Sequence, residues 1–426
     1  MSRSDRPYLM KVFPTQGMSR QAIDTAFDTL VSGDAQWRDG RVPLYVFRGD
    51  TEAYEVGRDA FFRFFSENAL GAKRAFGSVR QMEQDIIEMG LSLFNGNDGM
   101  AGIVTSGGTE SIFLAVRAAR ADARAKLGLA KGVGNIVMPE TAHPAFTKAA
   151  LSMDLVERRI PVAANGRADV AAMALAIDHE TVMLVGSAPC FPFGVFDPIT
   201  ELGELALARD AWLHVDACVG GYIAPFARAL NYPIPDFDMG VPGVSSLSAD
   251  LHKYGFCPKP ASTVFFSSPQ RAALAGFDMD VWPSGRFVTA TLVGTRPAGG
   301  VAGAWATLNF LGADGYRRVA LRVMQMRDAY VTGIKALPGY RMAAEPDLAV
   351  MAFGNPSIDM MRVAALMAER GWIPGTTKKP AGMHLMLSLL HEQARESYLA
   401  DLAECSRLVQ IEATTGRTGA RVTATY

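Results

Sequence analysis

The sequence predicts an α/β fold in which helices cover a mainly parallel central sheet, followed by a smaller C-terminal α+β domain. The first observation is a series of apolar runs of four to six residues, separated by helical stretches, between residues 101 and 266. Such runs are typical of a parallel sheet that is buried on both faces. The second is a change near Gly303, after which long helical patterns and two strand candidates follow. We therefore expect an N-terminal arm (residues 1–55), a large domain (56–302) and a small C-terminal domain (303–426).

The N-terminal part of the chain is predicted to be helical. Residues 1–55 carry charges and Gly/Pro breaks, which favour an arm with one short helix over residues 20–30. From residue 54 to residue 94 the pattern is that of an amphipathic helix. The aromatic side chains near its start are expected to pack in the core; they are Phe61, Phe62, Phe64 and Phe65.

The large domain then alternates between strands and helices. Ile103-Val104 leads into a glycine-containing turn and a helix that extends to about residue 120. Further strands are predicted at residues 135–138, 181–185, 212–215, 244–248 and 262–266. In the small domain, helices at 305–310 and 316–337 precede two strands, at 348–353 and 383–387, which flank a helix at 358–370.

The composition is that of an ordinary globular protein and argues against several classes of function. Of the 426 residues, 49% are hydrophobic and 20% are charged, and the formal net charge of −1 indicates neither a nucleic-acid partner nor an anionic membrane surface. No apolar window reaches the roughly 18 residues of a membrane-spanning helix. The N-terminus lacks the apolar stretch of a signal peptide. We expect a cytoplasmic protein without a transmembrane anchor.

Cysteine and histidine spacings predict no metal site and no disulfide. The cysteines form no CxxC pair, so we expect reduced thiols; they are Cys190, Cys218, Cys257 and Cys405. His391-Glu392 begins like a zinc-binding HExxH helix, but Arg395 stands where the second histidine would be.

The most informative residue is Lys253, in the segment Ser248-Ala-Asp-Leu-His-Lys-Tyr-Gly-Phe-Cys-Pro-Lys259. A lysine that follows a strand of small residues can form a Schiff base with an aldehyde cofactor, provided that it is partly desolvated and lies near groups that hold a phosphate. The alternative is a solvated surface lysine, which is the usual state of this residue type. The other parts of a cofactor site decide between the two.

A candidate phosphate site is the run Thr105-Ser-Gly-Gly-Thr-Glu-Ser111, between a predicted strand and a predicted helix. Two glycines allow a ligand to approach the backbone, and the first N–H groups of the helix supply donors at its positive end. Thr109 and Ser111 add hydroxyl groups. The run matches neither the P-loop nor the Rossmann glycine pattern, and a tight, capped strand–helix turn is the alternative.

Two other polar residues follow predicted strands. Asp216 ends the run at 212–215, where open α/β sheets place ligand groups, and a carboxylate there can pair with a pyridinium nitrogen. His214 shares its face of the strand and is expected to support it. His143, in the loop after 135–138, could stack on a flat cofactor. The alternatives are a helix cap or buried ion pair for Asp216 and a surface loop residue for His143.

A last glycine-rich segment, Gly294-Thr-Arg-Pro-Ala-Gly-Gly300, contains an arginine. It could bind a phosphate or only turn the chain.

Taken together, these segments resemble the pyridoxal phosphate (PLP)-dependent group II decarboxylase superfamily, which has the aspartate aminotransferase type I fold, and most closely its sphingosine-1-phosphate lyase branch. The resemblance runs from about residue 40 to the closing Thr-Ala-Thr-Tyr426. Its specific blocks are Leu91-Ser-Leu-Phe-Asn-Gly96, the run at 105–111, Ala188-Pro-Cys-Phe-Pro-Phe-Gly-Val-Phe-Asp-Pro198, His214-Val-Asp-Ala-Cys-Val-Gly-Gly221 and the segment 248–259.

The resemblance implies a role for each candidate. Lys253 would hold PLP as an internal aldimine, Asp216 would pair with the pyridine nitrogen, and His143 would stack on the ring. The cofactor phosphate would be held by Gly107, Gly108, Thr109 and His252. Gly294 and Thr295 would reach the phosphate of the neighbouring subunit's cofactor, because the family builds shared active sites in a homodimer. Lys259 matches a second lysine that the lyases use near the substrate.

Three positions depart from the lyase pattern. The lyases show an Asn-x-x-His element, but Asn68 is followed by Ala, Leu and Gly71. Their Phe-Pro-His-Gly has Phe193 in place of the histidine, and an expected tyrosine near Val46 is replaced by Phe47, although Tyr45 lies close by. These polar positions are where a phosphorylated head group would be held, so the departures concern the substrate and leave the cofactor chemistry intact.

The resulting hypothesis is a PLP-dependent carbon–carbon lyase of sphingolipid metabolism. A retro-aldol step would release a long-chain aldehyde and phosphoethanolamine from a phosphorylated sphingoid base, with Lys259 or His143 in proton transfer or head-group binding. An amino-acid α-decarboxylase is the first alternative, in which Lys378 and Lys379 could bind a carboxylate if their loop faces the site. The second is a non-catalytic binding protein on the same fold.

Overall fold

The computed structural model describes residues 11–129, 133–415 and 419–423. The first ten residues of the predicted arm, and the last three of the closing segment that supports the resemblance, lie outside the described residues. The helices are α1 (Arg20–Val31), α2 (Thr51–Arg63), α3 (Gly77–Leu93), α4 (Gly108–Leu127), α5 (Ala145–Ser152), α6 (Val170–Ala176), α7 (Ile199–Ala208), α8 (Ala224–Ala229), α9 (Pro269–Ala273), α10 (Ala298–Ala336), α11 (Met360–Glu369) and α12 (Arg395–Thr415). The strands are β1 (Ala101–Thr105), β2 (Asn135–Pro139), β3 (Val156–Ile160), β4 (Thr181–Ser187), β5 (Leu213–Asp216), β6 (Val244–Ala249), β7 (Ser262–Phe266), β8 (Phe277–Met279), β9 (Phe287–Thr289), β10 (Arg341–Met342), β11 (Val350–Gly354), β12 (Gly375–Lys378) and β13 (Ala381–Met386).

The central sheet has seven strands in the order β1-β7-β6-β5-β4-β2-β3. Strands β3, β2, β4, β5 and β6 are parallel to one another, whereas β7 is antiparallel to both β6 and β1. Two reversals in succession make β1 run in the same direction as β6. The predicted α/β class with a mainly parallel sheet is confirmed.

Both faces of this sheet are buried, because successive side chains of a strand point to opposite faces. Ile136 and Met138 pack in the cluster formed with α4 and α5, while Val137 between them packs in the main core on the other side. The same division separates Met183 from Leu184 in β4. This double burial explains why the strands appear in the sequence as unbroken apolar runs.

The N-terminal region differs from the prediction in two ways. The helix expected over residues 54–94 is two helices, α2 and α3, separated by a 3₁₀ turn at Ala69–Gly71, in which Oδ1 of Asn68 accepts the N–H of Leu70. The expectation that all four phenylalanines pack in the core is wrong, since Phe62 and Phe65 are 63% and 70% exposed. They stack on each other at a centroid distance of 6.5 Å. Their spacing predicted one common helix face, but α2 ends at Arg63, before Phe65, and periodicity does not say whether a face meets the protein interior.

Residues beyond about 300 form the second sheet. Strands β10, β11, β13 and β12 make a four-stranded antiparallel sheet, to which α11 adds a buried face. The two helices predicted at 305–310 and 316–337 form the single element α10, which is interrupted at Gly312 (φ 53°, ψ −174°). Because α10 begins at residue 298, it crosses the predicted limit at residue 302, and the division into domains stays a prediction. Within the described ranges, no helix has the length and hydropathy needed to cross a bilayer.

Candidate active site

Four strands of the central sheet bring the sequence-predicted polar residues to one edge. The segment with Gly107 and Gly108 follows β1, His143 follows β2, Asp216 ends β5, and Lys253 lies in the turn after β6. Because β1, β2, β5 and β6 run in the same direction, their carboxyl ends lie at the same edge of the sheet, which is where open α/β sheets bind ligands.

At that edge the side chains line a cavity of about 540 Å³, a size typical of small-molecule sites. Eight of the predicted residues line it, and these are Gly107, Gly108, Thr109, His143, Asp216, His252, Lys253 and Lys259. The remaining wall includes side chains to which the sequence assigned no role, among them Ser106, Glu110, Phe191, Cys218 and Asp250.

Lys253 is a largely shielded ammonium group and not a solvated surface lysine. Its side chain is 18% exposed, and Nζ lies 3.0 Å from Oδ2 of Asp250, whose own side chain is 2% exposed. Burial by itself lowers the pKa of Lys253, but Asp250, Cys218 and Asp216 together outweigh burial, with Asp250 the largest of the three, and the pKa is raised overall. The next residue, Tyr254, donates its hydroxyl to the carbonyl groups of Ala349 and Leu387, so the lysine segment is anchored to the residues that flank β11 and β13.

The predicted phosphate site is a turn that opens directly into helix α4. The first N–H groups of a helix have no partner inside it, so Gly108 and Thr109 present donors at the positive end of a 20-residue helix. A Cβ atom on Gly108 would lie 2.8 Å from Sγ of Cys218 and 2.9 Å from Oδ2 of Asp250. This position therefore requires glycine because the turn and the lysine segment approach each other closely.

Glu110 holds this turn in place. Its Oε2 accepts hydrogen bonds from the N–H and the hydroxyl of Ser106, both at 2.7 Å. Its Oε1 accepts from the backbone N–H of Leu292 at 2.9 Å and of Val293 at 3.3 Å. One buried carboxylate thus joins the glycine turn to the segment that precedes Gly294 in the sequence.

Asp216 is 8% exposed and lines the cavity from the end of β5. Its Oδ1 accepts the N–H of Cys218 at 3.1 Å and the hydroxyl of Ser248 at 3.5 Å. His214 supports it through Ser248, since its Nε2 lies 3.2 Å from that hydroxyl. Burial lowers the pKa of His214 to about 4, so the ring is neutral. The predicted support of Asp216 by His214 is therefore indirect.

His143 lies in the loop between β2 and α5 and lines the cavity. The N–H of Ala145 donates to its Nδ1 at 3.1 Å, so the neutral ring carries its proton on Nε2. Burial lowers the pKa of His143, partly offset by the Asp216 carboxylate. The cavity therefore meets a neutral imidazole and not a solvated surface histidine.

His252 and Lys259 flank the lysine segment. Nδ1 of His252 donates to the carbonyl of Ala261 at 2.6 Å, and its Nε2 lies 3.8 Å from Oδ2 of Asp250. Nζ of Lys259 donates to the carbonyl of Tyr45 at 3.1 Å. Burial and the nearby charge of Lys253 lower the pKa of Lys259.

Gly294 and Thr295 do not join this cavity. Gly294 lines a separate cleft of about 860 Å³ between α3, β1 and the β8–β9 hairpin, and Oγ1 of Thr295 accepts from Nδ2 of Asn68 at 3.3 Å. Lys378 and Lys379 are exposed and line neither cavity, so within one chain their loop does not face the site.

The positions that depart from the lyase pattern have clear structural states. Gly71 closes the 3₁₀ turn after Asn68. Phe193 is 9% exposed and packs with Cys190 and Val195, away from the cavity. Phe47 packs edge-on against Tyr254 at 4.9 Å. Apolar packing thus takes the place of two expected polar contacts.

The residues that line the cavity fit a pyridine aldehyde phosphate. They combine a primary amine, a carboxylate, an imidazole and helix N-terminal amides, and Oδ1 of the buried Asp250 has no hydrogen-bond partner among the described residues. All four cysteines are free, as predicted. Within the described part of the chain, no group of three or more His, Cys, Asp or Glu side chains could hold a metal ion.

Sequence reasoning missed Asp250 and Glu110 although both stand in segments that it singled out. An acidic residue in the first turn of a helix often reaches back to the turn before it, which was a usable signal for Glu110. For Asp250 the spacing to Lys253 gave no such signal, because the chain there is a turn and not a helix.

Comparison with known proteins agrees with this geometry. The model of the pyridoxal-dependent decarboxylase conserved domain matches residues 79–355. The sphingosine-1-phosphate lyase of Oryza sativa is 37% identical over 94% of this chain and 75% of its own length. A probable L-tyrosine/L-aspartate decarboxylase of Methanothermobacter thermautotrophicus is 32% identical over 83% of this chain and 94% of its own.

Among solved structures, the sphingosine-1-phosphate lyase of Burkholderia pseudomallei superposes on 96% of this chain and 96% of its own, with a TM-score of 0.89 and 32% identity.

Proposed function

This chain belongs to the sphingosine-1-phosphate lyase family within the pyridoxal-dependent decarboxylases, and we propose that it cleaves a carbon–carbon bond of a phosphorylated long-chain amino alcohol. The products would be a long-chain aldehyde and phosphoethanolamine. The protein is a PLP-dependent enzyme of this family. The observation that carries the proposal is that Lys253, Asp216 and the glycine turn line one cavity.

Each residue of the cavity has a proposed part in binding the cofactor. Lys253 would bind PLP covalently, and Gly107, Gly108, Thr109 and His252 would hold its phosphate. Asp216 would keep a proton on the pyridine nitrogen, and the neutral ring of His143 would stack on the cofactor. When bound, PLP supplies an electron sink for the bond that breaks.

Lys259 is the better candidate for proton transfer from the substrate hydroxyl. In neutral His143, Nδ1 already accepts a hydrogen bond from Ala145 and Nε2 carries the proton, so the ring has no lone pair left for a base. Lys259 has a lowered pKa and faces the cavity, so part of it is neutral at a lower pH than an ordinary lysine.

We also propose a homodimer with shared active sites and a cytoplasmic location. What supports the dimer is that Gly294 and Thr295 lie outside the cavity of their own chain, although the family pattern places them at a cofactor phosphate. Sedimentation and mixed-subunit complementation would test it. In that experiment a chain with Lys253 replaced is combined with one in which Gly294 and Thr295 are replaced.

The central test is covalent attachment followed by product analysis. After reconstitution with PLP and reduction with borohydride, the peptide that contains Lys253 should gain the mass of the reduced cofactor. The variant K253A should not gain it, whereas K148A, which removes an exposed lysine on α5, should behave as wild type. Incubation with a phosphorylated sphingoid base should release a long-chain aldehyde. Unlabelled Lys253, or no aldehyde from any such base, would overturn the proposal.

An amino-acid α-decarboxylase is the second candidate. The similarity to the archaeal decarboxylase and the apolar packing of Phe193 favour it. Carbon dioxide from amino acids without aldehyde from sphingoid bases would select it. Inactivity toward every amine would favour a binding protein.

A further inference from the structure

Asp250 is a buried carboxylate in the wall of the cavity, and the proposed function gives it no role. Its side chain is 2% exposed, Oδ2 lies 3.0 Å from Nζ of Lys253, and Oδ1 has no hydrogen-bond partner in the described chain. It also lies against Gly108, since a Cβ atom on that glycine would meet both carboxylate oxygens at 3.0 Å or less. A buried carboxylate needs a counter-ion or a donor, and Lys253 is the nearest cation.

We propose that Asp250 is a positioning residue that holds the ammonium group of Lys253 in the cofactor-free protein and thereby sets the pH at which this amine can bind PLP. The inference rests on the proposed function, because it takes Lys253 as the anchor of the cofactor. Asp250 would act on the charge and position of Lys253, and not on the substrate.

The chemistry of attachment explains why the counter-ion matters. The ammonium group first loses a proton to the solvent. The neutral nitrogen then adds to the aldehyde carbon, and the aldehyde oxygen leaves as water. A carboxylate 3.0 Å away favours the ammonium form, so attachment needs a higher pH than it would beside a neutral side chain.

Other groups also act on Lys253, and the experiment has to separate them from Asp250. The titratable groups that face it come from its own segment and from the ends of β2 and β5, and they are Asp250, His252, Lys259, His143, Asp216 and Cys218. Among the carboxylates, Asp250 alone forms an ion pair with the lysine, while Asp216 is held by Cys218 and Ser248. Asp250 is therefore the group whose removal should change the pKa of Lys253 most.

The first measurement needs no cofactor. Cofactor-free wild type and D250N are methylated reductively for a short, fixed time with formaldehyde and a borane reductant at a series of pH values. The extent of reaction at Lys253 is read by peptide mass. We expect the half-point of the D250N curve to lie about one to three pH units below that of wild type, the usual effect of one close charge. Lys148, exposed on α5, is the internal reference and should not change.

The second measurement repeats the series with PLP, read as the absorbance of bound cofactor. Its half-point should move in the same direction. The matched control is D238N, which changes a buried aspartate that is bonded to Asn95 and Gly240 and does not line the cavity. If D250N and D238N both follow the wild-type curves, the inference is wrong even though PLP binds. If wild type binds no PLP at Lys253 but the methylation half-point still shifts, the proposed function fails and the ion pair stands.

A pair of stability measurements guards against a D250N variant that does not fold. K253M and D250N each leave one buried charge without its partner, so each should lower the melting temperature of the cofactor-free protein. The double variant D250N/K253M should recover part of that loss. Additive losses would overturn the proposed ion pair.

Discussion

Replacing Glu110 by glutamine should loosen the glycine turn and the segment at 292–293 together. The carboxylate accepts four hydrogen bonds, two from Ser106 and two from the backbone of Leu292 and Val293. A glutamine of the same shape can accept only on its oxygen, so one pair of donors meets an amide NH₂. An unpaired buried donor costs about 1–3 kcal/mol. Because Leu292 and Val293 lie near the surface, water can satisfy some of the donors that lose their acceptor. We therefore expect the free energy of unfolding to fall by about 1–3 kcal/mol in total.

Urea unfolding of the cofactor-free protein measures this loss. With a slope near 3 kcal/mol per molar urea, the midpoint should fall by about 0.3–1 M. Hydrogen exchange should become faster at the amides of 292 and 293 or at that of Ser106, and the dissociation constant of PLP should rise by up to roughly tenfold, about 1.4 kcal/mol. The control is E204Q, on the exposed side of α7. A midpoint and exchange rates equal to those of E204Q would refute the view that Glu110 joins the two segments.

Three further predictions follow from other parts of the molecule. K259M should leave the absorbance of bound PLP unchanged but lower kcat/KM for a phosphorylated substrate by roughly 10- to 150-fold. This range corresponds to the loss of about 1.5–3 kcal/mol for a hydrogen bond to a charged group. An unchanged kcat/KM would contradict the placement of Lys259. Burial lowers the pKa of His384 to about 4, so between pH 6.5 and 4 only the unfolded chain takes up this proton, and acidification lowers the unfolding free energy by about 1.4 kcal/mol per pH unit. The variant H384Q should remove this contribution to the dependence of the unfolding free energy on pH, measured by urea titrations at several pH values. An unaltered pH dependence would show that His384 does not titrate as expected. G194A should lose several times more stability than G128A in thermal unfolding. Both glycines have positive φ, but a Cβ on Gly194 would lie 1.8 Å from the carbonyl oxygen of Val350, while the space around Gly128 is open. Equal losses of stability would contradict this contact.

The sequence determined the features that depend on local order along the chain. The apolar runs located the central strands because a strand buried on both faces needs an unbroken apolar segment. The strand β3 was missed, since Val156-Glu-Arg-Arg-Ile160 lies at the edge of the sheet and carries three charges. The residues predicted to share a site also follow from local rules, because polar groups directly after parallel strands must meet at one edge.

Only the tertiary structure decided which groups act on each other. Phe62 and Phe65 lie at the surface despite their helical spacing, because a pattern marks a face but does not say where the helix ends or what covers that face. Asp250 became the counter-ion of Lys253, and Glu110 reached a segment 182 residues away, through turns whose geometry no spacing encodes. Residue types and their order therefore predicted that Lys253 stands in a cofactor site. The distances that set its charge, and hence the pH of its reaction, arise only when separate strands converge, since electrostatic interactions depend on separation and burial in space.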